Sequence, residues 1–441
     1  MSITSLRVHN FKGYRDSDWV RIAPLTVIFG KNNAGKSSLL HSLLLLRQTR
    51  DTGGTTATLN LRGPLVSAGS YVDLVHNHLA KQNITIEIKV ALRRIPSATI
   101  SLEYASAEPR APQLKSFTVS IPDLPIVSIR KGRGSGGPHE LHIGSDRIGV
   151  AKDANFSFPA HGLLPLIGEQ PRGIGRPNEK REFARSAAKE AVNHLESCLD
   201  DLRALSPFRY PPQRRYDYGG YIRTPVDSEG KNVVEALIDD MTRSGRSRGR
   251  LFKEVNKWLK EVGRMQLLPF RRLGRSRMYE LRLRHLESGR WANFADVGSG
   301  IGQAFPVLVE GLRTPKSGTF LVQEPEIHLH PDAQLLMGDF LLDLAKEGRT
   351  VIAETHSENI MLRIRRRIAE AAKSGIGLGP NDVSILFVDS DSDRNSIVRE
   401  LKIDELGQIA NWPSGFMEQA TEERIELLTA AASAVEEEDE E

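Results

Sequence analysis

One cysteine, Cys198, in 441 residues rules out an intramolecular disulfide. Fold stability therefore rests on a packed core, and a reducing cytoplasm is the expected compartment. Long apolar runs are missing too: nothing in the chain approaches the roughly 20 residues that a membrane span needs. The opening Met1-Ser2-Ile3-Thr4-Ser5-Leu6-Arg7-Val8 lacks the apolar core of a signal peptide and reads as a strand. There is little excess of charge of one sign, since the chain sums to +4. That near-balance is local rather than uniform. Between Arg243 and Arg284 stand fourteen Lys/Arg against three Asp/Glu, a net +11, which leaves −7 for all other residues. The last six residues, from Glu436 to Glu441, are all acidic and read as a solvated tail. What is present in ordinary measure is core material. Hydrophobic residues make up 39 % and charged residues 26 %, and the length calls for two or three lobes.

The stretch that organises the rest is Gly30-Lys31-Asn32-Asn33-Ala34-Gly35-Lys36-Ser37, which has the form G-x-x-x-x-G-K-S of a phosphate-binding P-loop. Its context suits the chemistry. The apolar run Leu25 to Phe29 reads as a buried strand. The segment from Ser38 to Gln48, with Leu39, Leu40, Leu43, Leu44 and Leu46, reads as a helix. Glycines let the backbone curl round an anion, and loop N–H groups together with a helix N-terminus present partial positive charge to it. Gly30, Asn32, Asn33, Ala34, Gly35, Lys36, Ser37 and Ser38 are thus the expected nucleotide-binding residues. Lys36 is expected to reach the β- and γ-phosphates, and Ser37 to ligate Mg²⁺.

Elsewhere the pattern divides the chain. Residues 3–9 and 18–22 read as a β pair, and Ile84 to Val90 alternates as a half-buried strand. Short strands are predicted near 99–104, 116–121, 126–131 and 139–143, giving an antiparallel sheet beside the P-loop sheet. A helix is predicted over 181–205, ended by Pro207, Pro211 and Pro212, and two more over 231–242 and 250–263. From about 292 strands and helices alternate again: helices from Gly300, Pro331 and Ser357, and strands at 319–323, 350–353, 383–388 and 396–403. A last helix is expected over 421–434. The fold class is therefore α/β, a P-loop NTPase with a mixed sheet, an adjoining antiparallel β-subdomain and a partly helical insert. The expected division is an N-terminal part of the head (residues 1–95), an insert (96–290), a C-terminal part of the head (291–435) and the tail (436–441).

Nucleoside triphosphate hydrolysis needs acids as well as a loop. The strand Thr319 to Gln323 runs into Glu324-Pro325-Glu326, where a carboxylate can orient or deprotonate an attacking water. The next strand runs into Glu354-Thr355-His356-Ser357, where His356 can contact the γ-phosphate. In doubly wound sheets ligands bind beyond the carboxyl ends of the strands, and the P-loop, Gln323-Glu324 and His356 all lie there.

Four stretches in order carry a resemblance: Leu6 to Gly13 leading into the P-loop, Val297-Gly298-Ser299-Gly300-Ile301-Gly302-Gln303, Gln323 to Pro331, and Glu354 to Ser357. With them the chain resembles ABC-type P-loop ATPases of the SMC, RecF and OLD kind. The stretch Gly407 to Phe416 is similar to the C-terminal region of prokaryotic ATPases often found in phage-defence operons. The resemblance implies that Glu324 is the catalytic glutamate, His356 the switch histidine, and Lys36 the Walker A lysine. It also implies that Ser299 and Gly300 form a signature motif completing the site of a facing subunit, so that ATP joins a homodimer or a higher even oligomer. The Walker B aspartate of that family falls at Gln323, which can meet Mg²⁺ only through a bound water and supplies no charge. Slow hydrolysis is the expectation.

Other clusters read more plainly. His328, His330 and Asp332 are expected to be packing and turn residues, and Asp389, Asp391 and Asp393 a hairpin turn rather than a nuclease site. Trp258, Phe270 and Tyr279 are expected in the core. The basic segment 243–284 is expected to meet nucleic acid through its phosphates. The composite expectation is an ATPase acting on or sensing nucleic acid in prokaryotic genome maintenance or anti-phage defence, with a separate effector such as a nuclease and no membrane partner. The alternative is a nucleotide-sensing scaffold with little turnover.

Overall fold

The computed structural model describes residues 3–51, 58–92, 97–107, 110–132, 139–150, 156–157, 165–167, 179–220, 227–245, 247–413, 423, 425–427 and 429. Its centre is a six-stranded sheet in the order Leu202–Leu205, Thr319–Gln323, Thr350–Glu354, Leu25–Gly30, Val383–Ser390, Ser396–Leu401. All neighbours are parallel except the last pair. The P-loop strand is fully buried, as a parallel strand covered on both faces should be. Its period-two alternation sorts its side chains between two cores. Ile28 faces one that contains Leu39, Leu43 and Leu46 of the helix Lys36–Asp51 together with the antiparallel sheet. Val27 and Phe29 face a second, built with the helices Ser299–Arg313, Pro331–Lys346 and Glu358–Ser374.

The second large sheet is antiparallel. From the edge at Tyr14–Asp16 it runs through Ile3–Phe11, Ile84–Val90, Ala98–Ala107, Arg110–Ser120, Val127–Lys131 and His139–Ile143 to Asp146–Val150. Burial in Ile84–Val90 alternates without a break, so one face of this strand seals the core and the other is partly wet. The helices Val233–Thr242 and Arg250–Gly263 flank the basic loop as predicted. Trp258 packs edge-on to Phe340 at 5.0 Å, Phe270 against Phe252 at 5.9 Å, and Tyr279 against Tyr218 at 6.1 Å. These three aromatics therefore face inward.

One reading is corrected. The helix predicted over 181–205 ends at Asp200, and Leu202–Leu205 is a strand parallel to Thr319–Gln323. Leu202 stands at a position that continues the helical spacing, so periodicity could not separate the elements. The unpaired edge of Thr319–Gln323 decided it, since a buried strand needs its backbone hydrogen bonds answered. The hairpin joining Val383–Ser390 to Ser396–Leu401 turns as expected. Asp391 accepts from the backbone N–H groups of Asp393 and Asn395 and from Asn395 Nδ2, so it shapes the turn. The acidic tail and most of the helix expected over 421–434 lie outside the described residues.

Candidate functional site

The P-loop follows its strand and enters the helix at Lys36. Gly30 holds φ at +145°, and a Cβ there would stand 2.0 Å from the Val388 carbonyl oxygen of the neighbouring strand. Only glycine fits, because the chain must leave the sheet while still touching it. Gly35 holds φ at +106°, and its carbonyl accepts the Tyr14 hydroxyl at 3.0 Å. Tyr14 is wholly buried, and desolvation, with the charge of Glu354 adding to it, raises its pKa, so it stays a neutral donor.

Lys36 is 4 % exposed and donates to the carbonyls of Gly30 (2.9 Å) and Lys31 (2.8 Å). The ammonium thus closes the loop on itself. Desolvation lowers its pKa, and Glu354 followed by Glu324 oppose that. Ser37 Oγ donates to Glu354 Oε1 at 2.7 Å, and Gln323 Nε2 donates to Glu354 Oε2 at 2.6 Å. A carboxylate only accepts, which fixes the orientation of the Gln323 amide. Gln323 and Glu354 are direct partners across parallel strands, and both are buried.

Glu324 lies one residue past its strand, half-buried, in the left-handed region at φ 46°. Its N–H donates to the Glu354 carbonyl at 2.7 Å. Arg209 pins the same turn from beneath. It is 6 % exposed, and its guanidinium donates to the carbonyls of Gln323 (2.7 Å), Glu324 (2.9 Å) and Gln303 (3.2 Å). Burial pulls its pKa down to about 10, opposed by the charges of Glu326 and Glu324, so it remains cationic. A strained backbone of this kind costs about 1–3 kcal/mol and persists only where its surroundings hold it. Glu326, which points inward, accepts from the His356 N–H at 2.7 Å and so ties the two strand ends together. Burial raises its pKa. The His356 ring reaches solvent, and desolvation followed by the Lys36 charge lowers its pKa, which leaves it neutral at pH 7.

The structure therefore brings together Gly30, Gly35, Lys36, Ser37, Gln323, Glu324 and His356 from three adjacent strand ends. Asn32, Asn33, Ala34 and Ser38 lie in the same loop and first helical turn. Gly298 and Ser299 are exposed at the start of their helix. A Cβ on Gly300 would stand 2.6 Å from the His328 carbonyl oxygen, so this helix start packs on the loop after Glu326. Among the described residues no hydrogen bond joins Ser299 or Gly300 to the P-loop of the same chain. Glu354, Arg209 and Tyr14 were not anticipated as part of this cluster. Glu354 carried a signal, a carboxylate at a strand's carboxyl end beside the expected histidine. Arg209 carried none beyond its place among prolines.

Residues 1–206 match the family described as an AAA ATPase domain, and residues 166–362 the family described as AAA domain, putative AbiEii toxin, Type IV TA system. Residues 378–427 match a protein of unknown function, DUF3696. Over 93 residues the chain is 31 % identical to the DNA replication and repair protein RecF of Gloeobacter violaceus, which is 21 % of this chain and 24 % of that protein. The chain thus spans about a quarter of the curated relative it matches. Among solved structures it is similar to an SMC head bound to the C-winged helix domain of ScpA, with 12 % identity, 92 % of this chain and 99 % of that chain covered, and a TM-score of 0.45. It is also similar to the SMC head domain from Thermotoga maritima, with 9 % identity, 91 % and 100 % covered, and a TM-score of 0.41. The P-loop, the strand order around it and the two ATPase-domain matches give the chain the fold of a P-loop ATPase domain.

Proposed function

We propose that the chain binds ATP with Mg²⁺ at this loop and hydrolyses it slowly. The observation that carries the reading is a P-loop whose Lys36 is folded back on the carbonyls of Gly30 and Lys31 and whose Ser37 is bonded to Glu354, with Glu324 at the adjoining strand end. Lys36 would exchange its two loop carbonyls for the β- and γ-phosphate oxygens. The loop N–H groups and the helix N-terminus would hold the remaining charge. Glu324, turned out of the sheet by its left-handed backbone, would orient the attacking water. Neutral His356 would donate a hydrogen bond to the γ-phosphate. Ser37 and, through water, Gln323 would hold the metal, which when bound neutralises charge on the β- and γ-oxygens. These donors fit a magnesium–nucleotide complex, because Mg²⁺ keeps most of its waters and takes few protein ligands.

In this reading two copies close head to head, and the exposed start of the helix at Ser299-Gly300 of each meets the nucleotide of the other. The assembly acts on or senses nucleic acid with a separate effector such as a nuclease, in prokaryotic genome maintenance or anti-phage defence. The match to a DNA replication and repair protein and the family description naming a toxin system support this. No helix among the described residues is long and apolar enough to cross a membrane.

Hydrolysis by the purified chain, with and without duplex DNA, tests the reading. Lys36→Ala is expected to weaken ATP binding roughly 10- to 100-fold, the loss of a charge-assisted contact. Glu324→Gln is expected to bind ATP normally while turnover falls about 10²- to 10⁴-fold. Unchanged turnover in both variants would remove the site from the chemistry. The neutral Gln323 favours a second reading, an ATP-held scaffold. Tight ATP binding with no turnover in the unmodified chain would select it.

A further inference from the structure

The ATPase reading leaves an electrostatic gap. The strand that ends at residue 323 supplies an amide where metal support calls for negative charge. One strand over, the charge is present. Glu354 is the direct partner of Gln323 in the sheet and is 4 % exposed. One carboxylate oxygen accepts the hydroxyl of Ser37, the group a P-loop turns toward its metal, and the other accepts the Gln323 amide. No ion pair reaches it among the described residues. Lys36, whose pKa feels its charge, spends its own hydrogen bonds on the carbonyls of Gly30 and Lys31. Buried carboxylates are costly unless paired with a cation or coordinated to a metal. Here two neutral donors hold a full negative charge at the mouth of a phosphate loop.

We propose that Glu354 supplies the fixed negative charge for the nucleotide's Mg²⁺ in this chain. The acid of the site stands on the strand before His356, and Gln323 holds it in place. The inference rests on the ATP reading above. In it Ser37 and Glu354 form one unit that presents a hydroxyl and a carboxylate to the hydrated metal. Gln323 is then a positioning residue whose amide nitrogen keeps the carboxylate turned toward Ser37. An aspartate at 323 would face Glu354 as a second buried carboxylate, which explains why an amide suits that position here.

The test is a carboxylate–amide exchange read on metal binding, not on turnover. Mn²⁺ binding is titrated by electron paramagnetic resonance in the presence of AMP-PNP. AMP-PNP affinity is measured in parallel with Mg²⁺ and with EDTA. Glu354→Gln is expected to weaken Mn²⁺ at least about tenfold while leaving nucleotide affinity in EDTA nearly unchanged. The double variant Gln323→Asp/Glu354→Gln, which swaps acid and amide, is expected to regain most of the metal affinity. Gln323→Asp alone is expected to melt lower without metal and to gain more from Mg²⁺ than the unmodified chain. Mn²⁺ affinity unchanged in Glu354→Gln would overturn the inference while leaving the ATP reading intact. Failure of the unmodified chain to bind AMP-PNP at all would overturn both. If Glu354→Gln does not fold, the swap decides, since a folded swap that still lacks metal affinity defeats the inference.

Discussion

At the scale of single residues, the site is governed by side chains that never face solvent. Arg209 is the clearest. It holds three carbonyls, two of them on the Gln323-Glu324 turn, and comes from a segment of prolines outside every motif. Its charge is worth its burial only because those carbonyls and the two glutamates answer it. Arg209→Met removes the charge and leaves the carbonyls unmet, and a loss of about 3 kcal/mol in urea unfolding is expected. A structural defect would lower the folded fraction and leave the kinetic parameters of the proposed hydrolysis in the folded protein alone. A positioning role predicts that kcat falls in the folded fraction while KM for ATP holds, because Glu324 is displaced and Lys36 is not. Equal changes in kcat and KM would count against it.

At the scale of elements, what could be foreseen was what is local. Strand, loop and helix around Gly30 to Ser37 are encoded within a window of about two dozen residues, and they formed as expected. The strand Thr319–Gln323 kept its expected bounds and the helix Pro331–Lys346 its expected start, because an apolar run and an N-terminal proline mark them sharply. The pairing of Glu354 with Gln323 and Ser37 was not legible, because it arises when three elements far apart in sequence are laid side by side. The same holds for the seating of the P-loop helix. His41 on that helix accepts from Lys12 Nζ at 2.8 Å, a contact with the turn after the first strand. Burial, then the Lys12 charge, lowers the His41 pKa from 6.5 to about 4. The folded state thus resists a proton that the unfolded chain takes up freely. The stability this protects is complete above about pH 6.5 and is lost as pH falls toward 4. The full span is on the order of 3 kcal/mol. Urea unfolding at stepped pH is expected to show this loss, and His41→Gln, which cannot protonate, is expected to flatten it. A slope unchanged by the substitution would place the acid sensitivity elsewhere.

At the scale of the whole molecule, the charge asymmetry seen in the sequence becomes a surface. The aromatics of the basic segment turn inward, onto the core that also buries the helix Pro331–Lys346. Its cations stay outside: Lys253, Lys257, Lys260, Arg275, Arg277 and Arg284 are all exposed. Arg271 and Arg264 are paired with Glu280 and Glu287, so the excess is smaller than composition alone suggests. Beside these cations lies one exposed ring, Trp291, paired with Arg284 and stacked under the Arg282 guanidinium, and such a surface can neutralise phosphates but has little with which to read base edges. Binding of duplex DNA is therefore expected to be insensitive to sequence and steep in salt. Each phosphate contact contributes about 0.9 to the slope of log affinity against log salt. Arg275 and Arg277 sit in the turn that leads into Met278–Glu280, far in sequence from the P-loop. Replacing both with alanine is expected to weaken binding equally for unrelated duplexes and to reduce the slope by up to about 1.8, with ATP affinity unchanged. Fluorescence anisotropy over a salt series measures it. An unchanged slope would mean that nucleic acid does not meet this turn, and an effect confined to one duplex would mean that the turn reads sequence after all.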